Sequence, residues 1–144
     1  MTTVRQLLQS KGSRVWTAPP ETSAYEALRI MAEHNVGAIL VTRSDELLGV
    51  FSERDYARKV ILQGKSSRET ALSEIMSSPV ASVGPDQTIQ DCMTMMTEQR
   101  IRHLPVIEEG ALVGLVSIGD VVKAVIAEQE FLIGQLEKYI SGGR

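Results

Sequence analysis

Cysteine is almost missing from this chain. Cys92 is the single one among 144 residues, which excludes an internal disulfide and suits a reducing compartment. Long apolar runs are missing as well. With no stretch of 18 or more, no transmembrane helix is expected, and Met1–Arg5 lacks the apolar segment of a secretory signal. These absences point to a cytoplasmic protein. Basic charge is short: 15 Lys and Arg against 18 Asp and Glu give a net charge of −3 and a pI near 5.4. A general nucleic-acid binder would carry a basic stripe, so no nucleic-acid partner is expected. His, Cys and carboxylates show no metal-ligand spacing, and no nucleophile stands beside a recognisable base, so neither a metal nor an enzyme activity is expected.

What is present is a duplication. Shifting the chain by 65 positions lays Leu7–Ile61 on Leu72–Ile126 without a gap, with 13 identities in 55 positions, among them Leu7/Leu72, Val15/Val80, Met31/Met96, Gly49/Gly114, Ser52/Ser117 and Asp55/Asp120. The polar matches weigh most, because two Ser-x-x-Asp elements, each three residues after a glycine, must occupy equivalent places. Each repeat core is under fifty residues, too short to bury a comfortable core alone, whereas a domain of about 150 residues buries roughly 68–70% of its surface. The halves are therefore expected to share one compact module with a pseudo-two-fold axis.

Each copy reads β-α-β-β-α, a small α+β unit whose first strand joins the hairpin by a helical crossover. The expected divisions are 1–13 (helix and lead-in), 14–63 (repeat 1), 64–78 (linker), 79–126 (repeat 2) and 127–144 (C-terminal helix and tail). In repeat 1, Val15–Ala18 is a strand, Thr22 or Ser23 caps a helix ended by Gly37, Ala38–Val41 and Leu47–Phe51 flank a turn, and Ser52 opens a helix through Ile61. In repeat 2, Val80–Val83 is the first strand, Thr88 caps the helix, and Leu104–Ile107 and Leu112–Val116 form the hairpin. Ser117 opens a helix that runs on through Ile140, with Gly142–Arg144 fraying. Cys92 falls on an apolar helical position, as core rather than a redox centre.

The Ser-x-x-Asp elements have two readings. A serine N-cap with a carboxylate three residues on is a capping box. The same carboxylate accepts two hydrogen bonds and can hold the two hydroxyls of a ribose, while free N–H groups at a helix start welcome phosphate.

Met31…Val36-Gly37…Val41 with Leu48-Gly49-Val50-Phe51-Ser52-Glu53-Arg54-Asp55 resembles a CBS (cystathionine β-synthase) domain. Ile101-Arg102-His103-Leu104-Pro105-Val106 with Leu112-Val113-Gly114-Leu115-Val116-Ser117-Ile118-Gly119-Asp120 resembles a second. Together they resemble a Bateman module over nearly the whole chain, like stand-alone CBS-pair proteins. The resemblance implies two clefts between the copies that bind adenosine-containing ligands such as AMP, ADP, ATP, S-adenosylmethionine or NAD, and modules that join as homodimers. It assigns the main cleft to Ser52, Arg54, Asp55, Val80, Ala81, Arg102, His103 and Pro105. A second, weaker cleft takes Val15, Trp16, Gly37, Ala38, Ser117 and Asp120. In the main cleft Asp55 would hold the ribose, and Arg102, His103 and Arg54 the phosphates. Gly119 stands where the first copy has Arg54, which weakens the second grip. AMP is the ligand expected first. The function implied is an energy or redox-status sensor acting on a partner protein; the alternative is a ligand-free assembly homodimer.

Overall fold

A computed structural model describes residues 1–142; Gly143 and Arg144 of the expected frayed tail lie outside the described residues, and Gly142 closes the last helix. The elements are α1 (Val4–Lys11), β1 (Thr17–Ala18), α2 (Ala24–His34), β2 (Ala38–Arg43), β3 (Glu46–Ser52) and α3 (Glu53–Tyr56), which continues as a π-helical turn over Ala57–Ile61. They are followed by α4 (Leu72–Ile75), α5 (Ile89–Gln99), β4 (His103–Glu108), β5 (Ala111–Ser117) and α6 (Ile118–Gly142). The chain divides into two compact units. One comprises Arg14–Ala81 with Glu109–Leu112, and the other Met1–Ser13, Ser82–Glu108 and Val113–Arg144.

In the first-repeat unit, β1 runs parallel to β2, and β2 pairs with β3 in antiparallel register, Ala38 opposite Ser52 and Leu40 opposite Val50. The crossover from β1 to β2 is α2, as expected for a parallel pair. Ser44 and Asp45 take φ of 50° and 66°, the left-handed pair that a two-residue hairpin turn demands. Ser23 caps α2 by accepting from Glu26 N–H. The helix ends at Asn35, not at Gly37: Asn35 adopts the left-handed cap conformation, which a short polar side chain tolerates. Phe51, Ile39, Val41, Val60, Leu72 and Ile75 make the core of this unit. Each such side chain is worth about 1.5–3 kcal/mol of burial.

The second repeat follows the same plan. Thr88 caps α5 in a reciprocal box with Asp91, Arg100 takes the left-handed position of Asn35, and Glu109 and Gly110 turn the hairpin. Cys92, Ile89, Leu104, Val106, Val116 and Val121 are buried, Cys92 completely. The strand expected at Val80–Val83 is reduced to one bridge, Val83 to Val106. Val83 N–H donates to Pro105 C=O and Ile107 N–H to Val83 C=O, but Pro105 has no N–H with which to extend the ladder. In repeat 1 the same position is Leu40, whose N–H donates to Trp16 C=O.

The lead-in helices are exchanged. α1 precedes repeat 1 in sequence yet belongs to the second-repeat unit, where Val4 N–H donates to Gln87 C=O and Arg5 N–H to Pro85 C=O. α4 precedes repeat 2 yet belongs to the first, where Leu72 N–H donates to Thr22 C=O and Ser73 N–H to Pro20 C=O. Thr22 and Pro20 are the 65-residue counterparts of Gln87 and Pro85, so Val4 matches Leu72 and the lead-in helices align at an offset of 68. The identity of Leu7 with Leu72 is therefore a coincidence of sequence. Leu8 and Met76 are the true equivalents, and each covers a repeat glycine. A Cβ on Gly114 would lie 2.8 Å from Leu8, and one on Gly49 2.5 Å from the Met76 sulfur. Both glycines serve this close approach.

Candidate functional site

Each Ser-x-x-Asp element is a reciprocal cap. Asp55 N–H donates to Ser52 Oγ at 3.2 Å, while Ser52 N–H and Oγ–H donate to Asp55 Oδ2 at 2.9 and 3.1 Å. Asp120 N–H donates to Ser117 Oγ at 3.1 Å and Ser117 N–H to Asp120 Oδ2 at 2.8 Å. Two carboxylates are thus fixed at two helix starts, where the helix dipole favours negative charge.

Their further partners differ. Asp55 is only 8% exposed. Its Oδ1 accepts from Ser77 Oγ–H at 2.9 Å and lies 3.2 Å from Lys59 Nζ. Ser77 is held there by a two-bond bridge with Val50. Asp120 is half-buried, and its Oδ2 accepts from Lys11 Nζ at 2.7 Å. The same ammonium donates to Leu115 C=O at 2.7 Å. Leu115 is the counterpart of Val50, whose carbonyl accepts from Ser77 N–H. One lysine at the end of α1 therefore does in repeat 2 what Ser77 and Lys59 share in repeat 1. Burial of the Asp120 carboxyl opposes ionisation, but the Lys11 bond, the Ser117 N–H and the Lys11 charge outweigh it and hold its pKa below the ordinary carboxylate value.

A groove of about 1060 Å³ opens beside Asp120 between α1 and α6, lined by Gln6, Lys11, Gln90, Ala124 and Glu128 among others. Gln90 Oε1 is buried at its wall without a hydrogen-bond partner among the described residues.

Of the residues assigned to the main cleft, Ser52, Arg54, Asp55, Val80 and Ala81 lie in the first-repeat unit, and Arg102, His103 and Pro105 in the second. Arg54, Val80 and Ala81 are half-buried, Arg102 is exposed, and His103 opens β4. Of the second set, Val15, Trp16, Gly37 and Ala38 lie in the first-repeat unit, and Ser117 and Asp120 in the second. Gly37 C=O accepts from Glu53 N–H, and Arg102 C=O from Ile118 N–H, so these two residues sit at the helix starts of their own repeats. Trp16 stacks on His34, with ring centroids 3.4 Å apart at an interplanar angle of 9°. Lys59 and Ser77 are the site residues that sequence reasoning missed. Lys59 had a readable signal, four residues after Asp55 on one helix face. Ser77 had none, since its counterpart at the 68-residue offset of the lead-in segments is Gln9.

A duplicated unit of crossover helix, hairpin and final helix, with a capped carboxylate opening each final helix, defines a tandem-repeat α+β protein. The CBS domain model matches residues 4–61 and 72–127, so the chain belongs to the CBS-domain family and carries two copies of it. Both matches begin at the lead-in helices, Val4 and Leu72, in agreement with the 68-residue offset. The mitochondrial CBS domain-containing protein CBSX3 of Arabidopsis thaliana is 41% identical over 99% of this chain and 73% of its own length. A putative signal-transduction protein with CBS domains from Burkholderia ambifaria has a solved structure 49% identical, with a TM-score of 0.86, covering 89% of this chain and 96% of that one. The CBS domain pair of protein MJ0100, solved in complex with 5′-methylthioadenosine and S-adenosyl-L-methionine, shares the fold at 24% identity and a TM-score of 0.79, over 89% of this chain and 98% of that one.

Proposed function

We propose that this chain is a regulatory module that binds an adenosine-containing ligand, AMP before ADP, ATP, NAD or S-adenosylmethionine. In this reading it does no chemistry on the ligand, works in the cytoplasm as an energy or redox-status sensor for a partner protein, and pairs with a second copy of itself. The observation that carries the reading is the pair of carboxylates fixed at equivalent helix starts, each with a cation beside it. The adenosine ligands of the MJ0100 pair support the ligand class.

Asp55 is taken as the stronger ribose holder, with Ser52, Arg54, Arg102 and His103 serving the same ligand and Val80, Ala81 and Pro105 its apolar wall. Both oxygens of Asp55 already accept donors, so a ribose diol there must displace Ser77 or Lys59 from Oδ1. Val15, Trp16, Gly37, Ala38, Ser117 and Asp120 form the weaker set. Movement of Lys59 or Lys11 on binding gives the ligand the differential contact that a switch requires.

The test is a melting series with AMP, ADP, ATP, NAD and S-adenosylmethionine. A ligand at a hundred times its Kd adds about 2.7 kcal/mol, or roughly 5–10 °C for a chain of this size. Asp55→Asn should remove most of that shift and Asp120→Asn less. The opposite order would transfer the main site to Asp120 and its groove. No shift with any of the five would replace the sensor by the assembly homodimer.

A further inference from the structure

Helix α6 carries a long apolar stripe with no cover within the described residues. Val122, Ile126, Ile133, Leu136 and Ile140 are 47–66% exposed, while Val121, on another face, is fully buried in the unit. With Gln129 included, the stripe advances by 4, 3, 4, 3 and 4 residues. That is the a/d spacing of a coiled-coil seam rather than the broader face of a helix buried in a domain. From Val122 to Ile140 the seam is about 27 Å long at 1.5 Å per residue.

We propose that α6 of a second copy of this chain covers this seam, lying antiparallel to it. This rests on the self-association proposed above and on nothing in the ligand reading. The pattern is self-complementary when the two helices run in opposite directions about Phe131. Ile126 then faces Leu136 of the second copy, Ile133 faces Gln129, and Ile140 faces Val122, so every a position meets a d position. The flanking positions select the direction. On one side Lys123 meets Glu137 of the second copy, twice by symmetry, against one Glu130–Glu130 contact. On the other side Val125 meets Tyr139, and Leu132 meets itself, which extends the apolar contact. A parallel pair would instead set Val125 against Glu130 and Leu132 against Glu137, giving no ion pair and two apolar–charged mismatches.

The test is sedimentation of the full chain at tens of micromolar with three sets of variants. The wild type should be a dimer, and Ile133→Glu or Leu136→Glu should give a monomer with an unchanged circular-dichroism spectrum, both positions being exposed. Lys123→Glu and Glu137→Lys should each weaken association by roughly tenfold, and the double exchange should restore it. Under mild oxidation Leu132→Cys should cross-link to itself, whereas Leu136→Cys should not. A monomeric wild type overturns both self-association and this seam. A dimer indifferent to Ile133→Glu keeps self-association and overturns the seam, and a Leu136→Cys cross-link without a Leu132→Cys one overturns the antiparallel direction.

Discussion

Replacing Lys11 by methionine keeps the side-chain stem and removes the ammonium that joins α1 to Asp120 and Leu115. The side chains of Lys11 and Asp120 are 31% and 20% exposed. The pair therefore falls between an open surface pair, worth at most about 1 kcal/mol, and a fully buried pair, whose rupture costs about 3–5 kcal/mol. After allowing for solvent screening, the expected loss is about 1–2 kcal/mol at neutral pH. For a chain of this size that is roughly 2–8 °C in Tm. The loss should depend on pH in one direction. The folded-state pKa of Asp120 lies below its ordinary value, so its stabilisation is fully present above that ordinary value and disappears as pH falls through the folded one. Thermal melts of wild type and Lys11→Met at pH 7 and near pH 3 should show a gap at the first and little at the second. Equal gaps at both, or no gap at pH 7, would refute the ion-pair argument. Lys59→Met supplies the internal comparison. Lys59 is 42% exposed and Ser77 still serves Asp55 without it, so its gap should be smaller.

Gly114→Ala should cost about 1–3 kcal/mol by forcing the new methyl against Leu8, measured as a shift in urea midpoint; a shift below a few tenths of that would show α1 to be loosely seated. Cys92 is buried, and burial first, then the charge of Asp91, push its thiol up to about 11. The native protein should therefore resist a disulfide exchange reagent at pH 8 and react only after unfolding, at one thiol per chain. Because the folded state disfavours the thiolate, Cys92 should also cost stability as pH rises above the ordinary thiol range, and Cys92→Ser should remove that part of the alkaline loss.

The legible parts of the fold were those set by local chemistry. Ser23, Ser52, Thr88 and Ser117 announce helix starts because a hydroxyl meets an orphan N–H within three residues. The hairpins follow from polar pairs between apolar runs. Three features hid because their cause lies elsewhere in the chain. The Val80–Val83 strand looks complete alone and fails only against Pro105. The lead-in register was masked by the chance identity of Leu7 and Leu72, and corrected only by the carbonyls of Thr22 and Gln87. At the site, the duplicated carboxylates were readable, whereas their cations were not symmetric. Lys11 reaches Asp120 across 109 residues, a pairing that no repeat alignment signals.

The swap of lead-in helices bears on how this chain can be divided. A cut between residues 61 and 72 would follow the repeat boundary and still yield two incomplete pieces. The first would keep α1, whose bonding groups are Gln87 and Pro85, and lose α4; the second would keep α4 and lose α1. Each fragment would leave bare the apolar surface normally closed by the other's helix, Val4 and Leu7 in one case, Leu72 and Ile75 in the other. Independent expression of a half therefore requires transplanting a helix across the cut, so the covalent repeat and the folding unit are different objects.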